Sequence, residues 1–325
     1  ALLARHREAA PFLHELDTGR RLTSGVPSTT VTSLTSLGTG LPPGRHGLVG
    51  YTHRVDGGDR LLNGLRWDTD VDPTTYQPYP TVFESAAAAG VAVSVVGKGE
   101  FRSSGLTRAG LRSPGYRPAS SWGQRLAAVA DACAAPGPAL VYVYESDLDY
   151  TGHVNGCESD AWRLHLTVLD RVVEELAAVL PPDAVLIVTG DHGMVDVAEA
   201  DRVDVEDVPA LLAGVALVGG EARFRHVYTH PDADPVAVAG RWRDVLGDRA
   251  TVVTRADAVA AGWFGPVEAR VAQRIGDVLV ACTGPLAVEH RRLFPMEARL
   301  RGLHGSLTED EMAVPLLVHA GRWTG

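Results

Sequence analysis

Lysine is nearly missing from this chain: of 30 basic residues only Lys98 is a lysine, so the single side-chain ammonium invites attention wherever it lies. Cysteine is scarce too. Cys133, Cys157 and Cys282 are odd in number and far apart, which argues against a disulfide framework or a Cys-rich zinc site and suggests a reducing, cytoplasmic setting. No apolar run approaches the roughly 20 residues that span a bilayer, so no membrane partner is expected. Positive charge is in deficit as well. A net charge of −10 argues against a surface for nucleic-acid polymers. It leaves room for a small phosphorylated substrate, because bound metal ions can dominate the field of a site. Solenoid periods, heptads and low-complexity tracts are absent. No secretory signal is visible, but the chain opens on Ala1 rather than Met, so an upstream segment is expected.

What is present suits an α/β protein. The length, 325 residues, and an apolar content of 45% allow one large domain spanning 1–325 with a sizeable core. Strands and helices alternate, which predicts a largely parallel central sheet with helices on both faces. Val91–Val96, Ala139–Tyr144 and Ala184–Thr189 read as short buried strands. Ser159–Leu180 reads as a helix capped by Ser159, with Trp162, Leu166, Leu169, Val173 and Leu176 on one stripe and His165 as a packing or surface residue. Residues 1–16 also read as a helix. About 196–265 reads as a small cap or sheet-edge elaboration, with a hairpin over Val215–Tyr228 and a helix near Val236–Leu246.

Three Gly-containing segments carry metal-ligand side chains. Tyr144–Gly156 (YESDLDYTGHVNG) places Asp149 and His153 four apart, so that a carboxylate and an imidazole can converge on one ion. Thr189–Met194 (TGDHGM) carries adjacent Asp191 and His192, which can both turn inward only on an irregular backbone of the kind Gly190 and Gly193 permit. Arg301–Ser306 (RGLHGS) offers His304. Any one of these alone is an ordinary loop turn. Together they point to a metal site at the carboxyl ends of strands, where a doubly wound sheet builds its site. Mixed carboxylate and imidazole donors suit zinc, manganese or iron better than calcium or magnesium.

A fourth segment, Val26–Gly47, is hydroxyl-rich and enters a short helix over Val31–Leu37. A Thr at a helix N-terminus meets unpaired N–H groups and the positive end of the dipole, a cradle for phosphate, although threonine needs a base or a metal to become nucleophilic.

These four segments, in this order and spacing, resemble the nucleotide pyrophosphatase/phosphodiesterase branch of the alkaline-phosphatase superfamily. The resemblance implies two-step in-line phosphoryl transfer through a phosphothreonine on Thr30. It also implies two divalent metal ions, zinc first, with Asp149, His153 and His304 on one and Asp191 and His192 on the other. The expected substrate is a small phosphodiester or nucleotide pyrophosphate.

Two departures stand out. The resemblance calls for a further Asp at the end of a first strand, but residues 1–16 read as the helix that follows it, so the N-terminal strand is expected to lie outside this chain. Where the branch places an Asn after its His-Gly segment, this chain has Tyr51, whose phenol can also donate a hydrogen bond. Lys98, between Gly97 and Gly99, is a second candidate substrate contact, for a phosphate or carboxylate. A phosphonate or phosphomonoester hydrolase of the same superfamily is the nearest alternative, and a non-catalytic metal- or nucleotide-binding module the alternative of another class. A sulfatase is disfavoured for want of a Cys-x-Pro-x-Arg setting, and a phosphoglycerate-mutase-like role by Thr in the nucleophile position.

Overall fold

A computed structural model describes residues 2–55 and 58–320. The expected N-terminal helix is broken into Leu2–Arg5, a single 3-10 turn and Pro11–Glu15. The break falls where Pro11 has no N–H to continue the preceding turn and instead occupies the first helical position. The long helix Asp160–Val179 begins at Ser159, whose hydroxyl accepts from the Trp162 N–H at 3.2 Å. Its stripe of Trp162, Leu166, Val173 and Leu176 is buried. Within that stripe the carboxylate of Asp170 accepts the N–H groups of Phe12 and Leu13 at 3.3 and 2.8 Å, satisfying orphan donors of the Pro11–Glu15 helix. His165 packs, with Nδ1 2.9 Å from the Thr151 hydroxyl.

Among the described residues the strands fall into two three-stranded sheets, one four-stranded sheet and smaller pairs. The first sheet is parallel, in the order Tyr116–Pro118, Ala92–Gly97, Ala139–Val143. The second, Asp17–Thr23, Ala313–Ala320 and Val185–Val188, is antiparallel throughout, so parallel pairing is confined to part of the structure. Asp17–Thr23 (DTGRRLT) is exposed along its whole length, which is why no hydrophobic alternation announces it. Among the described residues Ala139–Val143 pairs only with Ala92–Gly97, and Val185–Val188 only with Ala313–Ala320. Leu186 nevertheless packs with Val141, Val143 and the helix residue Leu176 in one apolar cluster. The two unpaired edges thus lie under one helical cover, and Val185 and Ile187 are left 52% and 61% exposed.

The four-stranded antiparallel sheet holds Val215–Glu221, Phe224–Thr229, Val278–Cys282 and Ala250–Thr254, in that order. It reaches past residue 265, since Val278–Cys282 lies between two strands of the 196–265 region. The helix Pro235–Leu246 covers it through Val238 and Trp242, both fully buried. No described helix is long and apolar enough to cross a membrane.

Three buried histidines brace the loop from His46 to His53. His226 donates Nε2–H to the Val49 carbonyl at 2.9 Å and accepts the Gly276 N–H on Nδ1. His46 accepts the Leu48 N–H on Nδ1, leaving Nε2–H for the Ser36 hydroxyl, and His53 donates Nδ1–H to the Gly50 carbonyl. Burial, with nearby cations and imidazoles adding to it, pushes all three down to about 3. The native state therefore refuses protons that the unfolded chain takes up near pH 6.5. Stability stays level with pH above that value for these groups and falls below it, by up to about 1.4 kcal/mol per pH unit for each histidine. Urea unfolding of chelator-treated protein is expected to show this decline between pH 7 and pH 5, with His226→Gln reducing the slope. Equal stability at pH 5 and pH 7.5 would exclude the account.

Candidate active site

Close backbone approach brings the four chemistry-bearing segments together. Asp149 and His153 lie on the helix Asp147–Asn155, rather than in a loop, one turn apart on the same face. That helix touches the TGDHGM loop at Gly152, where a Cβ would stand 2.5 Å from Met194 Sδ. Gly302 packs against the same two elements, since a Cβ there would lie 2.6 Å from the Gly152 carbonyl. Its short strand, Gly302–Leu303, pairs with Val195–Asp196 and delivers His304. An isolated bridge between Ser28 and Gly305 then joins this segment to the threonine-rich one.

The imidazoles are held in one tautomer by carbonyl acceptors. His153 donates Nδ1–H to the Gly302 carbonyl at 2.7 Å, His192 to that of Gly193 at 2.9 Å, and His304 to that of Ser28 at 3.0 Å. A carbonyl can only accept, so Nδ1 carries the hydrogen in all three rings and Nε2 keeps its lone pair. Asp149 Oδ2 lies 3.4 Å from His153 Nε2, and Asp191 Oδ2 lies 3.5 Å from His192 Nε2. The His192 and His304 rings stack with centroids 3.7 Å apart, and His153 is 5.1 Å from His304.

Burial pushes the Asp149 carboxyl up, but the facing His153, His304 and His192 pull it down by more, and it stays ionised. Burial, reinforced by His192, holds His304 well below the ordinary imidazole range and so neutral. Burial acts most strongly on His153, lowering it, but the Asp149 carboxylate and the Gly302 carbonyl together outweigh it, leaving a net rise.

This donor set fits a divalent cation. Asp149, His192 and His304 each present a ligand atom within 4.8 Å of the other two. Asp191 Oδ2 is buried with no hydrogen-bond partner, which is costly for a carboxylate unless something else satisfies it. The compact trio takes members from both expected ligand sets, with His304 stacked on His192 between them.

Thr30 is the first residue of the helix Thr30–Thr39, which starts one residue earlier and ends two later than the sequence suggests. Its Oγ1 lies 3.0 Å from His192 Nε2, the lone pair that accepts its hydrogen. Thr29, at the N-cap position, makes no side-chain capping bond to this helix. The first-turn N–H groups are therefore left to another acceptor.

Thr30, Asp149, His153 and His304 line a cavity of about 650 Å³ together with Tyr51 and Lys98. The Lys98 ammonium is ion-paired with Asp147, its side chain 26% exposed. Two wall residues escaped the sequence reading. Glu221 is buried at a hairpin tip with Oε2 3.8 Å from His304 Nδ1, and Glu297 pairs with Arg225. Burial raises both carboxyls, that of Glu221 well above the usual range. Their segments, GGEAR and PMEAR, look like ordinary polar turns, and only the fold turns them inward.

The family model for type I phosphodiesterase/nucleotide pyrophosphatase matches residues 1–307. Murine ectonucleotide pyrophosphatase/phosphodiesterase 5 aligns with a TM-score of 0.74 at 16% identity, covering 97% of this chain and 84% of that one. An inactive form of the murine protein in complex with AMP gives 0.75 at 15% identity, with the same coverage. The human protein gives 0.71 at 17% identity, covering 95% of this chain and 82% of that one. Comparison with curated protein sequences gives no match. At such identities the solved structures establish a shared α/β fold, and the family match spans nearly the whole chain. The chain belongs to the type I phosphodiesterase/nucleotide pyrophosphatase family and is a phosphodiesterase-like phosphohydrolase.

Proposed function

We propose that this chain cleaves phosphodiester or nucleotide pyrophosphate bonds through a covalent phosphothreonine on Thr30, in a site holding two divalent cations. The observation that carries the reading is the 3.0 Å contact between Thr30 Oγ1 and His192 Nε2, inside a set of donors that converge on one point. Asp149, His153 and His304 are assigned to one cation and Asp191 and His192 to the other, zinc being the best match to these donors. Cations bound there would lower the pKa of the Thr30 hydroxyl and neutralise charge on the phosphoryl group.

Thr30 Oγ1 forms a bond to phosphorus as the bond to the leaving oxygen breaks, and the hydroxyl hydrogen passes through solvent to that departing oxygen. Water then cleaves the phosphothreonine and restores the hydroxyl. The first-turn N–H groups of the Thr30–Thr39 helix supply donors to the equatorial oxygens, aided by the helix dipole. The neighbouring Ser28 hydroxyl is committed elsewhere, Oγ donating to the Ser306 carbonyl at 2.6 Å. A nucleotide is the first substrate to test, because Tyr51, Phe101, Tyr116 and Tyr144 give the cavity aromatic walls on which a base can stack. The phosphonate reading is less well supported, since the Lys98 ammonium that would meet a substrate carboxylate is already paired with Asp147.

The two three-stranded sheets read best as halves of one central sheet. The strands Ala139–Val143 and Val185–Val188 lead, respectively, into the segments bearing Asp149 and Asp191, so they run the same way.

Zinc content after chelation and reloading tests the ligand assignment. Asp149→Asn or His304→Ala is expected to weaken zinc binding more than about a hundredfold, since even outer partners of a metal site are worth 10–100-fold, while His165→Ala leaves it unchanged. Wild-type affinity in Asp149→Asn would remove Asp149 from the site.

Thr30→Ala is expected to retain zinc yet lose at least about a thousandfold in kcat/KM on a chromogenic phosphodiester, because nucleophile and metals act as a unit. Retention of most activity would mean that water attacks phosphorus directly.

A further inference from the structure

Asn63 stands behind Tyr51 with its orientation fixed by the backbone. Its Oδ1 accepts the N–H groups of Leu65 and Arg66 at 3.0 and 3.1 Å, so the carboxamide nitrogen points the other way. That nitrogen, Nδ2, donates to Tyr51 Oη at 2.9 Å. An NH₂ group can only donate. The phenol oxygen is thus the acceptor in this bond, and its own hydrogen has to be directed elsewhere. Tyr51 lines the same cavity as Thr30. The backbone around it is held on several sides: Gly64 donates to the Tyr51 carbonyl at 2.9 Å, and the adjoining strand Thr52–Arg54 pairs with Leu61–Asn63. Burial raises the phenol pKa, an effect that Asn63 only partly offsets, so the hydrogen is retained at neutral pH.

We propose that Tyr51 donates its phenolic hydrogen to a non-bridging oxygen of the substrate phosphoryl group, and that Asn63 is the positioning residue that keeps the phenol a donor toward the cavity. The assignment rests on the phosphoryl-transfer reading above. It gives this chain a neutral donor built from two residues, a phenol in front and an amide that sets its polarity from behind. A tyrosine alone would rotate its hydrogen freely among acceptors. With Nδ2 occupying one lone pair of Oη, the hydrogen is turned away from Asn63.

The test reverses the polarity of that one bond. Asn63→Asp keeps an oxygen for the Leu65 and Arg66 N–H groups but replaces the NH₂ by a second acceptor, which draws the phenolic hydrogen out of the cavity. Tyr51→Phe removes the donor outright. Orthophosphate affinity of the zinc-loaded protein by calorimetry, and kcat/KM on a phosphodiester, are measured for wild type, both single variants and the double variant, with thermal unfolding as a check on folding. Each single variant is expected to lose about 10- to 100-fold in both readouts, the range for a hydrogen bond to a charged group. The double variant should be no worse than Tyr51→Phe alone, because Asn63 acts only through the phenol.

Wild-type phosphate affinity in Tyr51→Phe overturns the proposal. So does a loss from Asn63→Asp that is as large in the Tyr51→Phe background as in wild type, since that is what the added charge alone would do. If wild type turns over no phosphodiester while phosphate affinity follows the expected pattern, the donor assignment stands and the proposed reaction falls. An active enzyme with equal phosphate affinity in all four proteins has the opposite meaning.

Discussion

Three imidazole N–H groups, each given to a backbone carbonyl of the site, are the interactions on which the rest of the arrangement depends. His153 reaches from the Asp147–Asn155 helix to Gly302, and His304 reaches from the next residues to Ser28 beside the proposed nucleophile. His192 is fixed on the neighbouring Gly193 carbonyl and meets Thr30 with its other nitrogen. Each bond sets a tautomer, and those of His153 and His304 also tie distant parts of the chain, so the same few hydrogen bonds create the donor set and help assemble the site. A ring that lost its carbonyl would be free to present the wrong nitrogen, and the segment it anchors would lose a tether.

Support for those tethers comes from deeper in the protein. Arg223, on the turn of the four-stranded sheet, makes a two-pronged pair with Glu311 at 2.7 Å for both contacts, and both side chains are fully buried. Glu311 also accepts the Ser306 N–H through its side chain and the Gly193 N–H through its carbonyl. The ion pair therefore links the sheet to the segments after His304 and His192. Taking two charges out of water is costly, and their attraction offsets that cost only with good geometry and satisfied neighbours, conditions met here. Removing one partner would strand the other, at about 3–5 kcal/mol, so the pair serves arrangement more than net stability.

The site and the histidine-braced loop obey one physical rule from opposite sides. At His46, His53 and His226 burial keeps rings neutral so that they can hold backbone groups. At His304 burial keeps a ring neutral so that Nε2 keeps its lone pair. Around Asp149 burial acts against the charged form, and the facing imidazoles outweigh it and keep the carboxyl ionised. Sequence alone does not separate these cases, because a histidine in LVGYTHR and one in RGLHGS look equally polar in a string of letters.

Local chemistry was legible wherever it depends on near neighbours in the chain. Ser159 begins a helix because its hydroxyl sits three residues before a free N–H, and the Trp162–Leu176 stripe follows from helical periodicity. The metal-ligand residue types and the glycines beside them were equally visible, as was the threonine at a helix start. Tertiary structure alone decided what depends on distant partners. It placed the exposed Asp17–Thr23 strand, which pairs by backbone and carries no apolar pattern. It also joined Asp149, His192 and His304 as the compact trio, turned Glu221 and Glu297 inward, and set Asn63 behind Tyr51. Hydrogen-bond polarity and burial are properties of the neighbours a side chain meets in space, and a sequence states only the neighbours it has along the chain.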